Sequence, residues 1–215
     1  MLVIDRIKKA LINGELKPGD YIPSESTMTQ NLGVGKSSVR EAIKMLQAMG
    51  ILEVKRGQGT LIRETPDEDA LNPMVFQLIL ARGIPQELLE LRKILEPAYS
   101  VLALKNATKK DFKEIEVALV DFEAAINRGD QTAQHDLAFH MSILNATHNG
   151  MVIRIGTTMM ELFDAAIETS MKSLPDVALK DHKAIFKALR ERNESALRKA
   201  IEVSSTSWET CLTYK

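Results

Sequence analysis

Three residues have the type and spacing to bind one divalent metal ion. Asp136 and His140 are four positions apart, so a helix places both side chains on the same face. A carboxylate and an imidazole at this spacing can ligate one ion, and His182 on a later helix is a candidate third ligand. A helix-surface ion pair is the competing interpretation, and the apolar neighbours Phe139 and Ile143 disfavour it. Zinc, nickel and manganese are the candidate metals.

An arginine lies inside an apolar helical pattern in the same half of the chain. The apolar positions around Arg92 are Leu88, Leu89, Leu91, Ile94 and Leu95. A cation in such a place either pairs with a buried carboxylate or binds an anionic ligand. Glu96 is four residues further along the helix, so pairing within the helix remains an open alternative.

Basic and hydroxyl residues gather at the start of a predicted helix near the N-terminus. They follow the short turn at 32–35 and are Lys36, Ser37, Ser38 and Arg40. Lysine and arginine can donate to guanine, and serine can contact a base or a phosphate. Lys55 and Arg56 precede a glycine in a predicted hairpin and suit phosphates or a minor groove. A solvated charged face is the alternative, which the surrounding pattern of elements disfavours.

The elements that position these basic residues predict a winged helix-turn-helix. Apolar residues at helical spacing indicate a helix that ends near Gly14, a short one after the N-cap Ser24, and a third at 36–49. Two short strand-like runs, 51–54 and 60–62, flank a turn with two glycines and predict a hairpin. The glycine-containing turn between the second and third helices is typical of DNA-binding proteins.

The rest of the chain predicts an all-α bundle of six or seven helices. Its proposed helix starts are Pro85, Thr108, Asp130 and Asn193. The segment 65–68 resembles a capping box with proline at the first helical position and predicts another helix start. The predicted fold class is therefore mainly α. We assign 1–66 to the winged helix-turn-helix, 67–78 to a linker or first bundle helix, and 79–215 to the bundle.

Composition excludes several classes of protein. With 45% hydrophobic residues the chain can bury a core, and its single cysteine excludes an intrachain disulfide. Asp5 and Arg6 interrupt the apolar N-terminus, so we expect no signal peptide. The most apolar stretch, 71–81, is too short to span a bilayer, and we expect a cytoplasmic location. The net charge of −1 is unevenly distributed along the chain. Residues 1–66 form a basic head, with ten Lys and Arg against seven Asp and Glu.

The N-terminal motifs resemble those of GntR-type transcriptional regulators. The segments 14–25, 32–43 and 57–60 match the entry, recognition-helix and wing motifs of that family. The resemblance implies DNA contacts at Lys36, Ser37, Ser38, Arg40, Arg56 and Gly57. Gly35 stands where the family usually has serine or threonine, and Ser26 where many members have arginine. These departures imply the loss of a capping hydroxyl and of one base contact.

The helical body resembles the FCD ligand-binding domain of the FadR subfamily. The matching segments are 90–92 with 96–97, 136–140, Asn149 and the region around His182. The resemblance implies a metal site at Asp136, His140 and His182, with effector contacts at Arg92, Asn149 and Ser204. Ser204 takes the place of a further histidine that metal-binding members of the family supply from the last helix. We therefore expect weaker metal binding.

The leading hypothesis is a ligand-responsive DNA-binding transcriptional regulator, a repressor, and not an enzyme. It would be a homodimer that binds an inverted repeat of double-stranded DNA and senses a small carboxylate metabolite, with a bound divalent metal in the effector site. The alternative is a small α-helical metalloenzyme that uses Asp136, His140 and His182 and carries a DNA-binding module. No convincing general base or nucleophile supports that alternative. A DNA-packaging protein is disfavoured by the neutral overall charge.

Overall fold

The computed structural model describes residues 2–65, 72–80 and 85–213. Contacts between Cα atoms divide the chain into two compact units, Met1–Pro73 and Met74–Lys215. The helix start predicted at 65–68 falls mostly outside the described residues, so the domain boundaries at 66 and 78 stay predictions.

The N-terminal unit contains three helices and a hairpin. The elements are α1 (Leu2–Ile12), α2 (Glu25–Leu32), α3 (Lys36–Ala48), β1 (Leu52–Lys55) and β2 (Gly59–Ile62). The strands are antiparallel, with Leu52 opposite Ile62 and Lys55 opposite Gly59. The predicted Ser24 cap is present, since its side chain accepts a hydrogen bond from the Thr27 amide.

The core of this unit follows from the apolar stripes of the three helices. Residues from α1, α2, α3 and both strands pack together, and the buried members include Val3, Ile7, Met28, Val39, Ile43, Leu46, Leu52 and Ile62. The stripe on α3 leaves its other face to solvent, which is the arrangement a helix needs to enter a DNA groove.

The C-terminal unit is helical in all of its described elements. These are α4 (Pro73–Leu80), α5 (Pro85–Asn106), α6 (Lys109–Arg128), α7 (Ala133–Asn145), α8 (Gly150–Ser173), α9 (Pro175–Arg190) and α10 (Glu194–Thr213). Helices α5 to α10 pack around a core whose fully buried members include Phe122, Phe139, Ile143, Phe163, Leu189 and Leu197. The predicted fold class, a winged helix-turn-helix followed by a helical bundle, is confirmed.

Most predicted caps of the bundle are present, and one is wrong. Thr108 caps α6 in a reciprocal arrangement with Asp111, as its sequence position predicts. Asp130 does not cap α7, because its carboxylate accepts a hydrogen bond from Arg128. The cap residue is Thr132, whose amide donates to Nδ1 of His135. Within the described part of the chain, no helix is both long and apolar enough to cross a bilayer.

Candidate functional site

The start of α3 presents the predicted DNA contacts to solvent. All four of Lys36, Ser37, Ser38 and Arg40 are exposed, whereas Val39 between them is fully buried. Gly35 is the N-cap and supplies no side chain to the helix amides. Those amides remain at the helix N-terminus, a location that favours a phosphate.

Arg40 is held by an acid from the neighbouring helix. Its Nε donates to Oε2 of Glu25 at 2.8 Å, and both side chains are exposed. The pair fixes one edge of the guanidinium on α2. An exposed ion pair of this type contributes about 0–1 kcal/mol to stability, so the contact orients Arg40 rather than supporting the fold.

The tip of the hairpin is built by two glycines and a tyrosine. Gly57 has φ +77°, a left-handed conformation that suits glycine, and the neighbouring Arg56 is exposed. A Cβ on Gly59 would lie 3.3 Å from the Tyr21 ring, so the ring packs against the bare backbone. The Tyr21 hydroxyl lies 3.1 Å from Oε1 of Gln58 and orients that amide at the tip.

The predicted metal ligands converge inside the helical bundle. Asp136 and His140 lie on α7, His182 lies on α9, and all three are buried. His182 Nε2 is 3.2 Å from Asp136 Oδ1 and 3.2 Å from His140 Nε2. His140 Nε2 is 3.6 Å from Asp136 Oδ2.

These separations fit ligands of one metal ion. Two donors that each lie ~2.1 Å from an ion are ~3.0–3.4 Å apart at octahedral or tetrahedral angles. The Nε2 atoms of His140 and His182 meet that condition, and so does the carboxylate of Asp136 with His182. One carboxylate and two imidazoles form a donor set that suits zinc, nickel or manganese, which would supply a positive centre for an anion.

A buried ion pair lies beside this donor set. Arg92 Nε donates to Glu96 Oε2 at 2.7 Å, and Arg92 Nη2 lies 3.2 Å from His140 Nε2. Glu96 Oε1 lies 3.1 Å from His140 Nδ1, close enough for attraction although it is not aligned for a hydrogen bond. The pairing of Arg92 with Glu96 that the sequence left open is therefore present.

Burial and the neighbouring charged groups shift the pKa values of the side chains in this cluster. Burial acts to raise the pKa of Asp136, but His182 and His140 lower it to about 2. Burial also acts to raise the pKa of Glu96. The positive charge of Arg92 and the neighbouring His140 nevertheless hold the pKa of Glu96 below its ordinary value. Burial lowers the pKa of His182, so this imidazole is neutral at neutral pH, the state that binds metal.

Aromatic rings enclose the charged groups. Phe139 stacks on His182 with ring centroids 4.3 Å apart. Arg92 lies over the indole of Trp208, with Cζ 4.8 Å from the ring centroid. The Tyr99 hydroxyl is buried and has no hydrogen-bond partner among the described residues. The apolar surroundings strengthen the electrostatic interactions within the cluster.

A small pocket opens next to the cluster. Its polar lining includes Arg92, Asp136, His182 and Ser204, and Trp208 forms part of its wall. The pocket leaves about 20 Å³ for the centres of water molecules, and one water needs about 10–15 Å³. An organic acid larger than a few atoms therefore requires a side chain to move.

Asn149 and two other histidines lie outside the cluster. The Asn149 side chain accepts hydrogen bonds from the amides of Met151 and Val152, so it caps α8 and is exposed. His148 lies 2.8 Å from Asp111 Oδ2 at the start of α6. His135 takes part in the α7 cap. Of the predicted effector contacts, Arg92 and Ser204 line the pocket and Asn149 does not.

Two family profiles match the chain. The profile described as "Bacterial regulatory proteins, gntR family" matches residues 2–62, and the profile described as "FCD domain" matches residues 87–203. The chain belongs to the GntR family of regulators with an FCD domain. The resemblance noted in the sequence is confirmed.

Relatives of this GntR-family chain extend over nearly its whole length. The HTH-type transcriptional regulator LutR of Bacillus subtilis is 30% identical over 207 residues, which cover 93% of this chain and 94% of LutR. The galactonate operon transcriptional repressor of Escherichia coli is 26% identical and covers 92% and 90%. A solved structure of Streptococcus agalactiae GntR has a TM-score of 0.65 at 27% identity, covering 96% of each chain. The protein is a transcriptional regulator.

Several contacts in this GntR-family regulator were missed by sequence reasoning. Glu96 was considered only as a partner of Arg92, although it also contacts His140. Trp208 was not singled out, and Glu25 was not linked to Arg40. The single tryptophan and the four-residue spacing of Arg92 and Glu96 were the signals available.

Proposed function

We propose that this regulator is a dimeric repressor that responds to a small carboxylate metabolite through a divalent metal in its FCD domain. The observation that carries the proposal is the convergence of Asp136, His140 and His182 beside a pocket that Arg92 lines. A metal would add positive charge at the pocket, and Arg92 is a second group that suits a carboxylate. The name of the E. coli relative, a galactonate operon repressor, agrees with an organic-acid effector.

We propose that the N-terminal unit contacts DNA through the start of α3 and the tip of the hairpin. The contacts are Lys36, Ser37, Ser38, Arg40, Arg56 and Gly57, all of which are exposed. A two-fold dimer places one such surface on each half-site of an inverted repeat. Effector binding in the FCD domain would change operator affinity by favouring one arrangement of the dimer.

Ser204 and Arg92 are the proposed effector contacts. Ser204 is buried and lines the pocket together with Asp136 and His182. Its hydroxyl is a weak metal ligand compared with an imidazole, so we expect Ser204 to hydrogen-bond the effector. Asn149 is not part of this site, because its side chain caps α8.

Metal content tests the proposed site directly. Wild-type protein purified without chelator is expected to contain up to one zinc, nickel or manganese per chain by elemental analysis. The His140→Ala variant should lose it, because the substitution removes one of three protein ligands. His135→Ala is the matched control on the same helix and should retain the metal.

Effector binding provides the functional half of this test. Galactonate, with acetate as the minimal carboxylate, should release the wild type from a DNA fragment upstream of its gene, and EDTA should abolish the response. The role of the metal would be contradicted if wild-type protein contains no metal and still responds to galactonate in the presence of EDTA. A response to neither acid would contradict this choice of effector class.

Arg40→Ala should separate DNA recognition from folding. Loss of a base contact costs about 1–3 kcal/mol of specific affinity, a five- to 150-fold weaker Kd, with little change in Tm. Arg198→Ala is the matched control, because Arg198 is also an exposed arginine that pairs with a glutamate, Glu194 at 2.8 Å. Fluorescence anisotropy with a labelled operator measures the difference. Full affinity in Arg40→Ala would place base recognition elsewhere.

A further inference from the structure

The side of His140 that faces the other metal ligands already contacts a cation. Arg92 Nη2 lies 3.2 Å from His140 Nε2, the atom that also faces Asp136 and His182. A guanidinium nitrogen can only donate a hydrogen bond. The contact therefore uses the lone pair of His140 Nε2, the same lone pair that a metal would need.

Glu96 contacts both Arg92 and His140. Glu96 Oε1 lies 3.1 Å from Nδ1 of His140, the ring nitrogen that Arg92 does not contact. Glu96 Oε2 simultaneously accepts from Nε of Arg92 at 2.7 Å. The hydrogen bond from Glu96 thus holds the guanidinium of Arg92 next to Nε2 of His140.

We propose that the guanidinium of Arg92 is a resident cation of the cluster, which must leave His140 Nε2 before a divalent metal can be held there. The inference rests on the proposed metal-dependent effector site and adds an order of events to it. Arg92 also lines the pocket, so the guanidinium nitrogen that leaves His140 can bind a carboxylate there. Metal binding thereby prepares Arg92 for the effector.

The net charge of the cluster also predicts that the metal binds before the carboxylate. Arg92 contributes one positive charge, and Glu96 and Asp136 contribute two negative ones, so these three side chains together carry −1. A divalent ion changes that charge to +1. A buried site with net negative charge disfavours an anion, and one with net positive charge favours it. A monocarboxylate should therefore bind after the metal and neutralise the site.

Trp208 offers a spectroscopic report of the Arg92 position. It is the only tryptophan in the chain, and the guanidinium carbon lies 4.8 Å from its ring centroid. Movement of a cation from an indole face changes the electrostatic field at that ring. Tryptophan emission therefore responds to displacement of Arg92, and a variant without the guanidinium shows how much of the change comes from the metal itself.

The experiment compares wild type with Arg92→Met in full-length protein freed of metal by EDTA and dialysis. Zn²⁺ is titrated into each, with calorimetry for affinity and tryptophan emission for Arg92. Wild type should change its emission in step with binding. Arg92→Met should bind Zn²⁺ about tenfold more tightly, the equivalent of one charge-assisted hydrogen bond, and show a smaller emission change than wild type.

Arg92→Lys keeps the test valid where Arg92→Met fails to fold. Lysine preserves the positive charge against Glu96 but has one nitrogen, which cannot contact Glu96 and His140 together as the guanidinium does. It should bind Zn²⁺ about threefold more tightly than wild type, a smaller gain because the charge remains.

The outcomes separate this inference from the proposed function. Equal or weaker Zn²⁺ binding by the variants, with binding by wild type, would overturn the resident cation and leave the metal site intact. Zn²⁺ binding by neither wild type nor variants would overturn both proposals. Tighter Zn²⁺ binding by the variants than by wild type supports the resident cation. Zn²⁺ binding that is detected in the variants and not in wild type also supports it.

Discussion

Operator affinity is expected to fall by roughly 150-fold when the salt concentration rises from ~50 to ~200 mM. Each protomer presents Lys36 and Arg56 to phosphates, besides Arg40, which is assigned to a base, so a dimer presents four phosphate contacts. Each phosphate that they neutralise contributes about −0.9 to the slope of log affinity against log salt, which gives a slope of about −3.6. Their position in the basic head explains why a chain of net charge −1 can bind DNA.

Variants at single lysines make the salt prediction quantitative. Lys36→Ala removes one contact per protomer and should reduce the slope by about 2, with similar losses on specific and unrelated DNA. Lys199→Ala removes an exposed lysine of α10 and should leave the slope unchanged. Fluorescence titrations over a salt series measure both. A slope near zero for wild type would reject DNA binding by the N-terminal unit.

Local signals explain why the order of helices is predictable from this sequence. Ser24, Thr108 and Asn193 each precede a helix and accept a hydrogen bond from an amide of its first turn. Such caps involve neighbouring residues, so their pattern is visible in the sequence. Asp130 fails as a cap because the left-handed Gly129 ends α6 just before it and Arg128 takes its carboxylate.

The contacts of the buried cluster depend on packing between distant helices. The spacing of Asp136 and His140 predicts a shared face, but the 3.2 Å approach of His182 needs α9 to pack next to α7. Ile94 belongs to the apolar pattern of α5 and yet is 68% exposed, whereas Arg92 is 5% exposed. Hydrophobic periodicity alone therefore does not identify which residues of α5 face the core.

Removal of the Glu96 carboxylate is expected to lower the free energy of unfolding by about 3–5 kcal/mol. Glu96 is 2% exposed and is the hydrogen-bond acceptor for Nε of Arg92. Glu96→Ala leaves the buried guanidinium without this acceptor and opens a cavity where the side chain was. Urea denaturation of metal-free protein, followed by Trp208 emission, reports the unit that contains the cluster.

Two comparison variants identify the unpaired charge as the cause. Glu90→Ala removes an exposed carboxylate from the same helix and should change stability by less than about 0.5 kcal/mol. Arg92→Leu with Glu96→Leu removes both charges and should be more stable than Glu96→Ala, because an apolar pair of similar volume avoids the cost of a lone buried cation. A loss below about 1 kcal/mol in Glu96→Ala would mean that Arg92 is readily solvated or paired elsewhere. Arg92 would then not be confined to the cluster by Glu96, which contradicts its role as the resident cation.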